Sequence, residues 1–482
     1  MPAFRLSPDS SLARHTAKGI AWSALESFGS SGVSFIVSVI MAAFLAPREF
    51  GMVAMLQVFV ALAQICVESG MTQALVRLPE RSRVVDSTAF VLNLLIGGGV
   101  YLMLWLIAPW VARFYSQPEL TGVMRVICLA VPVNALCVVQ TARLIAAMNF
   151  RMLFKVSFLA TLLSGVLGIC LACCGVGVWA LVWQQVCSWS LRALLLWCLT
   201  GERPGWRFSK RVVRSLFGFS WKVMASAILD TIWSNIYSVL IGKIFTPRLT
   251  GLFWRADSFS RLPATVASGV VTRVSYPVMG RLQGCPSRMN VLFMRVLGMS
   301  VWLISPCMLL MSALAEPLFR TFFNSQWLSA VPMFRVLCVA MLFYPVHALN
   351  LQILNAEGFS NLFLRLEIIK KLITVGILCV SVPLGVEAIC WGVLADSLIG
   401  LPVNMWYTGR FARANMLSQV RLMLPVLLLA GFATLVAYLV SICFQHPVLS
   451  LLSGIICGIG AYLLISSLLS LPWWHRIKHF RI

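Results

Sequence analysis

The ionised and hydrogen-bonding side chains of this 482-residue chain fall in a few apolar stretches, three or four residues apart. Lys222, Ser226, Asp230 and Ser234 step by four. Arg255, Ser258, Arg261, Thr265, Ser268 and Thr272 step by three or four, with Asp257 beside them. Ser23, Ser27, Ser30, Ser34 and Ser38 follow the same rule with Glu26 at their border, and Gln57, Gln64, Glu68 and Thr72 form a fourth set. Such spacing puts each set on one face of an α-helix. The chemistry on offer is binding rather than bond making. Arg255 and Arg261 carry guanidinium forks that match phosphate or carboxylate oxygens and keep their charge. Lys222 adds a point charge. Asp230, Glu26 and Asp257 are acids that can carry a coupling proton or sodium ion. Gln57, Gln64, Ser30, Asn134 and Asn350 offer partners to sugar hydroxyls.

Each set has a second, packing interpretation. A serine stripe is also a seam where helices approach closely. Arg261 can pair with Asp230, Lys222 can reach the membrane surface, Glu68 can sit among headgroups, and Asn134 and Asn350 can bond across helices. Lys222 and Asp230 lie eight residues apart, roughly 12 Å along an axis, so each needs its own partner. His347 reads as a packed polar residue. Asp396 and Arg192 stand alone, with no role assigned.

The elements that must position these residues follow from composition. Hydrophobic residues make up 60% of the chain and charged ones 11%, against roughly 25% in soluble domains. Three soluble domains of this total length have too few charges to coat their surfaces. Disorder is excluded by the apolar content. Fourteen apolar segments follow, at about 20–45, 50–70, 88–112, 121–142, 156–174, 178–199, 216–244, 249–272, 291–314, 328–352, 366–384, 387–409, 421–443 and 447–470. Most are long enough to cross ~30 Å of hydrocarbon, and the first and eighth are marginal because they carry charges. Ala42 to Ala46 resembles a cleavage site, but the first segment is long and rich in Ser and Gly, so it is expected to be retained.

The net charge of +23 is distributed by side. Alternate gaps, starting with the N-terminal tail, hold 26 Lys and Arg, and the opposite gaps hold five: Arg48, Arg113, Lys243, Arg248 and Arg320. That asymmetry is the positive-inside pattern and sets both termini in the cytoplasm. The basicity is thus a topology signal rather than a nucleic-acid footprint. The 15 cysteines sit mostly in apolar segments and read as small buried side chains, so neither a disulfide framework nor a metal site is expected. No nucleotide-binding loop, H-E-x-x-H or G-x-S-x-G occurs, and no loop is long enough for a soluble catalytic domain.

An internal repeat organises the segments. Pro47-Arg48-Glu49-Phe50-Gly51 recurs 200 residues later as Pro247 to Gly251. Pro132 to Leu136 recurs 213 residues later at Pro345 to Leu349, and Gly175-Val176 recurs 210 later at Gly385-Val386. The unit holds six spans, so its copies are parallel. The expected domains are an N-lobe at 1–200, a basic cytoplasmic linker at 201–215, a C-lobe at 216–410 and a C-terminal pair of spans with a basic tail at 411–482.

The stretches Ala46 to Arg77 and Gly251 to Gln283, with Asn355-Ala356-Glu357-Gly358, resemble the signatures of bacterial polysaccharide transporters. The resemblance covers nearly the whole chain and is closest to the colanic-acid-exporter-like branch. These transporters share the multidrug/oligosaccharidyl-lipid/polysaccharide superfamily with the MATE multidrug exporters. It implies an all-α membrane protein of about fourteen helices, two six-helix lobes in a V plus two C-terminal helices. It implies a polyprenyl-pyrophosphate-linked oligosaccharide carried across the bacterial inner membrane by alternating access, with Arg255 and Arg261 toward pyrophosphate or acidic sugars. Segments 13 and 14 become a groove for the prenyl tail. The implied partners are this glycan lipid, membrane lipids and polysaccharide polymerase or assembly proteins, with no cofactor beyond a proton or sodium gradient and no nucleic acid.

The four polar helices hold Lys222, Arg255 and Arg261 against Glu26, Glu68, Asp230 and Asp257, a nearly neutral set. A neutral glycan and ion-carrying acids both fit that count. A drug/cation antiporter on the same fold is the alternative, distinguished by little need for the arginines. A glycan polymerase or ligase usually carries a large outer loop, and the longest here, near 315–327, is short.

Overall fold

The computed structural model describes residues 29–68, 71–72, 75, 82–200, 205, 208–282, 284–411 and 414–468, without the side chains of some helical positions. Among the described residues every regular element is helical. The chain divides into two compact units, Met1–Gly251 and Leu252–Ile482.

The first unit contains α1 (Gly29–Phe44), α2 (Pro47–Glu68), α3 (Arg83–Phe114), α4 (Leu120–Ile127), α5 (Ala130–Ala146), α6 (Phe150–Cys173), α7 (Val178–Thr200), α8 (Lys210–Ser234) and α9 (Ile236–Ile244). It ends in the first turn of α10 (Pro247–Arg281), most of which belongs to the second unit. That unit continues with α11 (Pro286–Ala313), α12 (Ala315–Phe322), a 3-10 turn Ser325–Ala330, α13 (Val331–Met341), α14 (Tyr344–Ala356), α15 (Ser360–Ser381), a second 3-10 turn Val382–Leu384, α16 (Val386–Phe411), α17 (Met416–Ile442) and α18 (Pro447–Leu468).

Helix ends follow local chemistry. Pro286 and Pro447 open their helices, where a missing N–H costs nothing. The Ser82 and Asn149 side chains accept from the amides of Val85 and Met152 and so cap α3 and α6. Between helices the chain turns at positive φ, and two of these positions recur across the repeat. Gly175 (φ 75°) and Gly385 (φ 107°) lie 210 residues apart, as do Met148 (φ 52°) and Gly358 (φ 87°). The first turns of α2 and α10 touch reciprocally. A Cβ on Gly51 would overlap the Pro247 carbonyl, and one on Gly251 would overlap the Pro47 carbonyl. Two copies of one motif thus meet in a self-complementary contact.

Among the described residues, nine helical stretches are long and apolar enough to cross a membrane, and Met224–Ser234 with Ile236–Ile244 makes a tenth if that pair, bent by 46°, is one span. The expected fourteen are not reached by length and apolarity. α7, α10 and α15, of 23, 35 and 22 residues, are long enough to cross but too polar to pass. The described part of the first segment is the short helix Gly29–Phe44. α10 continues as one helix through Pro263. The second unit has a core of Phe293, Leu297, Val346, Leu349, Ile353 and Met405, which joins α11, α14 and α16. α17 packs against both α11 and α18.

Candidate functional site

In the first unit the predicted polar faces form, with different degrees of access. Gln57 and Gln64 are half-buried on α2. Ser30 is half-buried on α1, and its hydroxyl has no hydrogen-bond partner among the described residues. It borders a cavity of about 380 Å³ with Ser31, Ser157, Thr161, Ser188 and Arg192. Ser226, Asp230 and Ser234 are exposed along one face of α8, just before the bend at Asn235. Asn134 is 3% exposed and donates to Glu68 Oε1 at 3.5 Å, which joins α5 to α2. Glu68 is therefore tied to a neighbouring helix. Glu26 and the Lys222 side chain lie outside the described residues.

In the second unit the two arginines have different surroundings. Arg255 is 1% exposed. Its guanidinium lies 5.0 Å from the Phe259 ring centre, 5.4 Å from Trp327 and 5.8 Å from Trp254. Phe319, Phe323 and Phe334 extend this aromatic cluster. The expected phosphate ligand is thus enclosed by rings, whose π faces stand in for the lost water. Arg261 is accessible, with 39% of its side chain exposed, but it donates from Nε to both Asp257 oxygens at 2.7 Å. Asp257 sits one turn back on the same helix. The Arg pair is therefore one caged and one neutralised cation. Thr265 and Thr272 turn their hydroxyls to carbonyls of their own helix, at Arg261 and Ser268.

Asn350 is wholly buried. It donates to the Val346 carbonyl at 2.9 Å and to Gln419 Oε1 at 3.1 Å, which fastens α14 to α17. It bonds across helices instead of facing an opening. His347 is packed in the same way, 2.9 Å from Asn404 Nδ2 and 3.2 Å from Ser397 Oγ. Asp396 accepts from Thr374 at 2.9 Å, so it is not isolated.

Sequence spacing missed several bonds between distant segments. Arg143, counted as a topology cation, pairs with buried Asp86 at 2.9 Å. Ser87 and Thr88 accept from the amides of Gly205 and Ser209 at 2.9 and 3.2 Å. These bonds dock the connection between α7 and α8 onto α3. The one available signal was the run Asp86-Ser87-Thr88 at a basic helix start. Cys170 and Cys173 have C-x-x-C spacing near the end of α6, and both are exposed free thiols. Among the described residues no three metal-binding side chains cluster.

A family profile described as polysaccharide biosynthesis protein matches residues 40–332, more than half the chain. The chain belongs to this family. Relatives span most of its length. The succinoglycan biosynthesis transport protein of Rhizobium meliloti is 27% identical over 79% of this chain and 77% of its own. The teichuronic acid biosynthesis protein of Bacillus subtilis is 22% identical over 80% of each. A lipopolysaccharide biosynthesis protein of Escherichia coli is 21% identical over 75% of this chain and 74% of its own. The fold resembles that of the lipid II flippase MurJ in an inward closed conformation, with a TM-score of 0.77 over 93% of this chain and 98% of MurJ at 14% identity. An inward-facing MATE family multidrug transporter of the MOP superfamily matches with a TM-score of 0.62 over 79% of this chain and 94% of its own at 14% identity. This polysaccharide biosynthesis protein is an all-helical, multi-pass membrane protein with the fold of that superfamily.

Proposed function

We propose that the chain is a flippase for a polyprenyl-pyrophosphate-linked oligosaccharide. It moves the headgroup from the cytoplasmic to the periplasmic leaflet of the bacterial inner membrane, with both termini in the cytoplasm. The observation that carries this reading is the joint match: a polysaccharide biosynthesis family over residues 40–332 and the fold of a lipid II flippase over 93% of the chain. The charge asymmetry between alternate gaps supports the orientation. In this reading the polar stripes offer partners to the headgroup while the prenyl tail stays in lipid. The cycle alternates access, with each state selected by its contacts with the glycan. A proton or sodium gradient biases that cycle. Asp230, exposed on α8, and Asp257, paired with Arg261, are two candidate coupling acids. Glu26 is a third candidate from its place on the serine stripe.

The fold is shared with multidrug exporters, so drug/cation antiport is the second reading. Both are tested by mass spectrometry of lipid-linked glycans from cells with and without the gene, with leaflet assignment in inverted vesicles. The flippase reading expects complete glycan lipids to accumulate on the cytoplasmic face when the gene is absent. Unchanged amount and sidedness, together with altered drug susceptibility, would replace it with antiport.

A further inference from the structure

Arg192 on α7 is a further intramembrane cation whose surroundings differ from those of Arg255 and Arg261. Its Nε is buried without a hydrogen-bond partner. Its guanidinium carbon lies 5.4 Å from the centre of the Trp189 ring. Among the described residues no carboxylate lines the open cavity it borders, whose wall consists of Ser30, Ser31, Ser157, Ala160, Thr161, Ser188, Trp189 and Arg192 around about 380 Å³.

The cavity follows from how three helices pack. Gly165 and Gly168 on α6 admit Val37 and Met41 of α1 and Gln184 of α7, so the helices close up on one side of the cavity. On the other side Gly29 of α1 meets Phe154 of α6. Between these contacts the backbones part and the wall turns polar. Ser157 and Thr161 share one face of α6, and Ser188 and Arg192 share one face of α7. Arg192 lies eight residues before the end of α7 at Thr200, roughly 12 Å inside the helix end. A cation at that depth without a countercharge is costly. A neutral sugar supplies no countercharge, and a chloride ion leaves most of the hydroxyls unused. A phosphate offers one oxygen pair to the guanidinium edge and further oxygens to the surrounding hydroxyls.

We infer that this cavity is an anion subsite, in which Arg192 and the Ser hydroxyls of α1, α6 and α7 hold the phosphate of a membrane-borne lipid. Two sources share that chemistry: the pyrophosphate of a polyprenyl carrier and the phosphate of an anionic phospholipid. The first makes the cavity part of the transport path and rests on the function proposed above. The second makes it a lipid site that tunes the first unit.

The test is native mass spectrometry of the purified full-length protein, titrated separately with undecaprenyl pyrophosphate, phosphatidylglycerol and zwitterionic phosphatidylcholine. Arg192→Gln should weaken one of the two anionic lipids at least tenfold and leave phosphatidylcholine unchanged. Arg192→Lys should restore part of the loss, and Ser157→Ala should show a smaller one. The lipid affected identifies the source. Thermal melting of each variant separates lost binding from lost fold. If Arg192→Gln melts normally and binds both anionic lipids like the wild type, the subsite is overturned, while the transport reading stands on its own leaflet assay. If Arg192→Gln fails to fold, Ser157→Ala decides, and unchanged binding of both anions in that variant likewise overturns the subsite.

Discussion

A guanidinium inside a membrane needs something in place of water, and Arg255 finds it in Trp254, Phe259 and Trp327. Ring faces attract a flat, delocalised cation, by about 0.5–2 kcal/mol at each favourable site. A lysine ammonium is compact and strongly hydrated, and it cannot stack. Arg255→Lys is therefore expected to lower the melting temperature of the detergent-solubilised protein, and Arg255→Met to lower it less. Melting like the wild type in Arg255→Lys, with transport lost, would return Arg255 to the substrate path. Asp257→Asn removes one helical ion pair, worth about 0.3–0.5 kcal/mol, so folded yield should hold. A large loss of folded protein in that variant would show that the pair supports the structure. The sequence placed Arg255 and Arg261 on one stripe. It did not reveal that one also faces the ring of Trp327, from a distant part of the chain, while the other is met by its own helix. Periodicity reports which residues share a face. What that face meets depends on tertiary contacts. The same limit applies to Asn350, whose partner Gln419 lies on another helix.

At the scale of elements, the repeat was legible because it is written in turn residues. Pro and Gly fix backbone geometry, so their recurrence carries over into recurrent φ, as at Gly175 and Gly385. What spacing did not disclose is that the two Pro-to-Gly motifs touch each other. Any Cβ at Gly51 or Gly251 collides with a backbone carbonyl, which has no rotamer to retreat into. Gly51→Ala and Gly251→Ala should each destabilise by about 1–3 kcal/mol or more, read as a fall in melting temperature. Gly98→Ala on α3, where a Cβ meets nothing within 4 Å, should be neutral or slightly stabilising. Equal behaviour of all three variants would contradict the close contact. Polar spans were the harder elements. α7, α10 and α15 carry the charges and hydroxyls that make a membrane helix useful, and those residues pull them below an apolar threshold.

For the molecule as a whole, the charge bias was the most readable feature, because it reflects a rule of insertion rather than of packing. It predicts that Cys173 and Cys174, exposed after α6, face the periplasm, and that exposed Cys285, before α11, faces the cytoplasm. In variants that retain only those thiols, a membrane-impermeant maleimide added to spheroplasts should label Cys173 and Cys174 but not Cys285. Inverted vesicles should give the opposite pattern, and the same sidedness for both groups would refute the orientation. The family was legible from residues 46–77 and 251–283, because those stretches combine the turn motifs with the polar faces that recur in such carriers. The carried glycan was not legible, since hydroxyls and amides bond many sugars alike. The central claim is that the chain itself moves a phosphate-linked glycan lipid between leaflets. The most direct measurement reconstitutes the purified protein with a labelled undecaprenyl-pyrophosphate oligosaccharide and follows the fraction open to a membrane-impermeant glycosidase. Rapid exposure of the inner-leaflet pool in vesicles with the protein, and not in protein-free vesicles, is the predicted result. Equal, slow exposure in both, with and without a proton or sodium gradient, would contradict it.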